Sequence, residues 1–277
     1  MRRELFFACV IATTACSVLV DLSGLAGSVP NDGGFIDASD AAAAPDVRDD
    51  APTSDAGSDV VVPRVCAATH AFCDDFDAVD AAPFAPWQSV TSGAGPLVLD
   101  PLLRVSAPNA MRIDVATGSG VSSSILSKTV AVTNRKVTLS FDLRMDLPDG
   151  GFVELDPMFV RLDPAPAGTN AALLAVAIYG PNAQLEYFRE RSDGGNANTA
   201  ARYPRPDAQF HHYVVSIAPS GTTLVATTSV DGTTIATQTL ETNDLTSIVV
   251  QAGVPFARDI TIGPTVRIDN VVVDTGP

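Results

Sequence analysis

The richest chemical spacing in the sequence is Glu154-Leu155-Asp156, within FVELDPMFVRLD. Residues two apart on a strand point to the same side, so both carboxyl groups would face one substrate. Hydrolysis of a glycosidic bond by a pair of carboxyls needs them about 5 Å apart across the bond in the retaining case, one of them protonating the leaving oxygen. The positions where a further acid would follow hold Met158 and Phe159, and Pro157 marks a strand edge or bend. The motif is incomplete, and we expect no catalysis from it. Glu186 and Glu190 in LEYFRER share a face, but Arg189 and Arg191 beside them make the segment a solvated charged strand. His211 and His212 are neighbours and must face opposite sides of a strand, so only one could enter a site. Ser122 to Ser124 lack the glycines of a nucleophile elbow, and no phosphate-cradling loop occurs.

The elements that would position these residues begin well into the chain. Arg2 and Arg3 precede the apolar run from Leu5 to Ala15, LFFACVIATTA, which is followed by Cys16. Such a run is too short for a bilayer that needs about 20 residues, and it reads as an export signal. Thr13-Thr14-Ala15-Cys16 resembles the lipobox of bacterial lipoproteins, with Ala15 fitting and Thr13 departing from the usual aliphatic residue. The resemblance implies a signal peptide over 1–15, a lipidated Cys16 and anchorage in the cell envelope, with Ser17 resembling outer-membrane sorting; an ordinary secreted form is the alternative. Cys9 has only Leu5 to Ala8 as its apolar run and is a poor rival. If Cys9 leaves and Cys16 carries lipid, Cys66 and Cys73 remain, and an oxidising compartment predicts a disulfide closing VCAATHAFC. One nearby histidine, His70, is too little for zinc.

Residues 16–64 form the anchored N-terminus and linker. From Ser28 to Arg64 the chain holds eight aspartates and a single aromatic residue, Phe35, a composition that cannot bury enough apolar surface to offset ordering entropy. It reads as a disordered tether with a reach of roughly 35 Å, and its aspartates match no calcium-loop spacing. The formal charge of −15, with Lys128 and Lys136 as the only lysines, argues against nucleic acid as a partner.

Residues 65–277 read as one all-β domain. In KVTLSFDLRMD, Val137, Leu139, Phe141, Leu143 and Met145 alternate with polar residues, which predicts one buried and one wet face. Ser220-Gly221 and Asp231-Gly232 supply tight turns for a three-stranded meander over about residues 210–240. With about a dozen strands and no helical periodicity, two antiparallel sheets must cover each other.

Three stretches carry a resemblance: FCDDFDAVDAAPFAPW followed by Gly93, the meander ending in SVDGTTI, and the closing VRIDNVVVD. They resemble the concanavalin A-like jelly rolls, which include laminin-G-like modules, carbohydrate-binding modules and laminarinase-like glycanases. The resemblance implies a two-sheet antiparallel jelly-roll sandwich and a module that binds a glycan or an envelope partner without catalysis, with a glycan-active enzyme or a purely structural protein as alternatives. The glycanases of the family place carboxyls at E-x-D-x-E or E-x-D-x-x-E, which Glu154 and Asp156 match only in part. The resemblance places Trp87 in the core and leaves Tyr187, Tyr203 and Tyr213 as sugar-stacking platforms, with Arg189, Arg191 and Arg202 as polar companions. It further implies a structural calcium ion between Asp77 and Asp269.

Overall fold

The computed structural model describes residues 65–77, 82–180, 182–242 and 244–276. The signal peptide, Cys16 and the tether lie outside the described residues. Among those described there is one short 3-10 turn, Val65–Ala67, and otherwise strands, numbered here in chain order. No described helix is long and apolar enough to cross a membrane.

Two antiparallel sheets form a sandwich. The eight-stranded sheet runs, edge to edge, β13 (Thr233–Leu240), β12 (Thr223–Val230), β11 (His211–Ser220), β6 (Val137–Asp146), β15 (Thr265–Thr275), β4 (Ala110–Asp114) and β3 (Leu97–Asp100). Its eighth strand, β1 (Phe72–Asp74), pairs with the second half of β15, Phe72 opposite Val273. The seven-stranded sheet runs β10 (Asn196–Tyr203), β9 (Asn182–Arg191), β8 (Thr169–Tyr179), β7 (Glu154–Asp163), β14 (Ser247–Ile260), β5 (Gly118–Ala131) and β2 (Ser89–Ser92). This is the two-sheet antiparallel sandwich that the strand pattern predicts and that the jelly-roll resemblance implies.

The alternation becomes packing as expected in β6, whose Val137, Leu139, Phe141, Leu143 and Met145 are all buried. Each such side chain contributes about 1.5–3 kcal/mol by leaving water. The meander is present as β11, β12 and β13, consecutive neighbours in their sheet. Phe141 of β6 stacks on Tyr213 of β11 at 5.2 Å between ring centroids, and Tyr203 meets Tyr213 edge-on. Trp87 is core, as the resemblance implies: its ring packs against Phe72, and Nε1 donates to Asp74 Oδ2 at 2.6 Å. The Cys66–Cys73 disulfide is formed, with Cα atoms 5.5 Å apart, and His70 Nδ1 lies 2.9 Å from Asp274 on the last strand. The entry to the domain is thereby fastened to its end.

Candidate functional site

The outer face of the seven-stranded sheet holds the densest group of reactive side chains. On β9 the inward set is Ala183, Leu185 and Tyr187, so Gln184, Glu186 and Phe188 point outward. On β8 the inward set is Ala172, Leu174, Val176 and Ile178, which leaves Ala175, Ala177 and Tyr179 outward. Ala175 and Ala177 are nonetheless buried and lie outside the hydrophobic core cluster. Small residues on an outer face leave low ground between larger neighbours, packed closely enough here to exclude water.

Register assembles its walls. Glu186 pairs with Ala175, Ala175 with Phe159 of β7, and Phe159 with Gln251 of β14, so the four share one row across the face. Next to that row both central strands are irregular. The β7–β8 ladder shifts register between Leu155 and Met158, at Pro157, which has no N–H to donate. The β14–β7 ladder shifts between Ala252 and Phe256. Gly253 sits here at φ 123°, and a Cβ on it would lie 2.5 Å from the Ser124 carbonyl oxygen, so only glycine fits. Bulges of this kind re-aim side chains. Here they bring Asp156 opposite Phe256, and Glu154 opposite Arg258.

The bonds within the group are specific. Tyr179 Oη donates to Glu154 Oε1 at 2.7 Å, and Arg258 Nη2 lies 3.0 Å from Glu154 Oε2. Gln184 Nε2 donates to Glu186 Oε1. Asp156 is 4% exposed, and its Oδ1 is buried without a hydrogen-bond partner. Burial pushes the Asp156 carboxyl well above the usual carboxylate range, and the charges of Glu154 and Glu186 push it the same way. Burial also raises Glu154, offset in part by Tyr179 and Arg258. The group therefore places a carboxyl that holds its proton more tightly than an ordinary aspartate beside two others, with one guanidinium at its edge. Such a set can donate a hydrogen bond, accept several, and hold a proton near a bound oxygen or nitrogen. Phe159, Phe188 and Phe256 are partly exposed around it and offer apolar faces.

The structure joins Glu154 and Asp156 as their spacing predicts, and it adds a third carboxyl that the spacing along one strand could not show. Glu186 comes from two strands away and is 6% exposed, while Glu190 on the same outward side is exposed. The expectation of a uniformly solvated charged strand is corrected by the burial of Glu186 beside these alanines. The aromatic expectations also change. Tyr187 is 1% exposed and packs in the core, with its hydroxyl accepting from the Glu241 N–H. Tyr203 and Tyr213 are buried against each other, hydroxyls 3.3 Å apart. Rings so enclosed have no face for a sugar. The clue lies in AQLEYFRER itself: Leu185 is core, so Tyr187 two residues on turns inward and Phe188 outward. Arg189 and Arg191 lie with Glu241 around a separate cavity of about 330 Å³, Arg189 pairing with Glu241. Arg202 is exposed on β10, opposite Gln184 in register.

His211 and His212 do face opposite sides. His212 Nδ1 lies 2.8 Å from Asp142, whereas His211 is held between Asp231 (2.6 Å) and Asp207 (3.0 Å) at the rim of a cavity of about 360 Å³. Asp77 and Asp269 grip one loop from two strands' ends. Asp269 Oδ2 accepts the N–H groups of Val105 and Ser106, Oδ1 accepts Ser106 Oγ and Asn270 N–H, and Asp77 Oδ1 accepts the N–H of Asn109. Burial lifts the Asp269 carboxyl to about 6, with the donors pulling the other way. Four donors turned to one carboxylate are the arrangement of a loop clamp.

No family model and no curated protein matches the chain. Among solved structures, it is similar to a cellulose-induced protein, Cip1, at 14% identity and a TM-score of 0.53, covering 74% of this chain and 97% of that one. A carbohydrate esterase from the Shiga toxin-encoding bacteriophage phi24B matches at 14% identity and a TM-score of 0.49, over 76% of this chain and 99% of that one. An alginate lyase from Pseudomonas aeruginosa matches at 17% identity and a TM-score of 0.44, over 62% and 85%. At such identities the likeness to Cip1 speaks for the fold alone, and the chain is a two-sheet antiparallel β-sandwich of that kind.

Proposed function

We propose that this protein is a cell-envelope lipoprotein, anchored through Cys16, whose sandwich binds a glycan on the outer face of its seven-stranded sheet. The observation that carries the reading is the strip of small residues at Ala175 and Ala177, bordered by partly exposed phenylalanines and by hydrogen-bonding groups at Tyr179, Gln184 and Arg258. Apolar surface with a few placed polar groups is what a sugar ring requires, since its C–H face packs and its hydroxyls bond.

A binding panel of envelope and plant polysaccharides tests the reading. Wild-type protein retains at least one, and Phe159→Ala or Gln184→Ala weakens that binding. Silence against every glycan refutes it in favour of a purely structural protein. Mass spectrometry of the mature N-terminus tests the anchor, with acylated Cys16 as the expected result and an unmodified start elsewhere as the contrary one.

A second reading, glycan hydrolysis, is favoured by one specific finding: Glu186 supplies from β9 the carboxyl missing after Asp156 on β7. Reducing sugar released by wild-type protein and abolished in Glu154→Gln would establish it. We expect none.

A further inference from the structure

The Glu154–Asp156–Glu186 group has a charge balance that restricts what can sit on it. We infer that this face selects an amine-bearing glycan, a chain of hexosamines with free amino groups, over neutral or uronate-containing chains. The inference rests on the reading of this face as the glycan site, and concerns only which glycan it prefers.

Three carboxyl side chains lie on this face against one adjacent guanidinium. That guanidinium, on Arg258, lies 3.0 Å from Glu154 and is committed to it. Glu186 has only the neutral amide of Gln184 as its recorded side-chain partner. Asp156 adds the independent sign of a missing ligand group. It is more than nine-tenths buried and shares the outward side with Glu154, and its Oδ1 meets no donor in the folded chain. A buried polar atom left in this state costs about 1–3 kcal/mol unless something binds it. An ammonium group brought to this face offers three donors and the opposite charge. A uronate carboxylate placed there meets like charge from Glu154 and Glu186 in a poorly hydrated site, which is repulsive.

The face is not acidic throughout: Arg161 and Arg202 are exposed further out on β7 and β10. They can engage the flanking sugars without altering the balance at the centre.

The test uses the full chain and three tetrasaccharide probes: a β-1,4-glucosamine oligomer, its fully N-acetylated form, and a β-1,4-linked uronate. We expect the glucosamine oligomer to bind about ten-fold more tightly than the acetylated one, the scale of one well-placed charged contact, and the uronate to bind least. Glu186→Gln and Asp156→Asn should each remove most of that preference, read as the ratio of the two probes' affinities on the same variant. Asp114→Asn, on the other sheet, should leave the preference intact, which separates the site from general attraction to a protein of charge −15. Equal binding of the charged and acetylated probes, tighter binding of the uronate, or a preference that survives Glu186→Gln overturns the inference while the glycan site stands. Failure of every glycan in the wider panel overturns the glycan site itself.

Discussion

Replacing Asp269 by alanine removes a buried clamp, and its cost can be worked from the bonds it makes. The side chain is fully buried and accepts four donors, at 2.8 and 2.9 Å from the Val105 and Ser106 N–H groups, 3.1 Å from Ser106 Oγ and 2.8 Å from the Asn270 N–H. Val105 is exposed and its N–H can turn to water, whereas Ser106 and Asn270 are buried. Two or three donors are then stranded at about 1–3 kcal/mol each, against which the variant escapes the desolvation of a buried carboxyl. The expected net loss is about 2–4 kcal/mol, or roughly 5–15 °C in Tm for a domain of this size. The loss has a pH signature. The folded pKa of Asp269 is raised from 3.8 to about 6, so its protonation stabilises the fold fully below about 4, and that contribution disappears as pH rises through 6. Asp269→Ala therefore costs more at pH 4.5 than at pH 8. Urea unfolding of wild type and variant at the two pH values measures both quantities. A loss under about 1 kcal/mol at pH 4.5, or a larger loss at pH 8, refutes the assignment of Asp269 as a desolvated clamp.

Other expectations follow from the same geometry. His211 is raised above 6.5 by hydrogen bonds to Asp231 and Asp207 that outweigh its burial, and its hydrogen bond lowers Asp231 below 3.8. The His211 contribution is present below 6.5 and lost as pH rises through its folded value, while that of Asp231 is lost as pH falls through its own; with the side chains of His211 23% and Asp231 54% exposed and so screened by solvent, a double-mutant cycle at pH 5.5 should find no more than about 0.5–1 kcal/mol and a smaller value at pH 9. Reduction of Cys66–Cys73, or its replacement by serines, should lower stability by about 2–3 kcal/mol at most, read as a shift in the urea midpoint. Chelation with EDTA should leave Tm unchanged, because hydrogen bonds already answer the Asp269 oxygens; a fall reversed by added calcium would instead place an ion at Asp77 and Asp269.

Local pattern in the sequence determined much of this protein. Alternation in KVTLSFDLRMD decided which side chains of β6 are buried, Ser220-Gly221 and Asp231-Gly232 decided the meander, and the pairing of Cys66 with Cys73 followed from elimination. These depend on backbone period, turn geometry and residue counts, all of which act over a few residues. The candidate site depends on something else. Glu186 comes onto the same face as Glu154 and Asp156 only because β8 lies between β9 and β7 and carries small Ala175 and Ala177 on that side. Phe256 and Arg258 arrive from a strand about 100 residues further along, aimed by facing irregularities in β7 and β14. Asp269 finds its loop because β1 and β4 both pair with β15. Strand order and register set these meetings, and they are settled by how two whole sheets bury their inner faces together. The period of two along one strand shows which residues share a side; only the tertiary structure decides what that side meets.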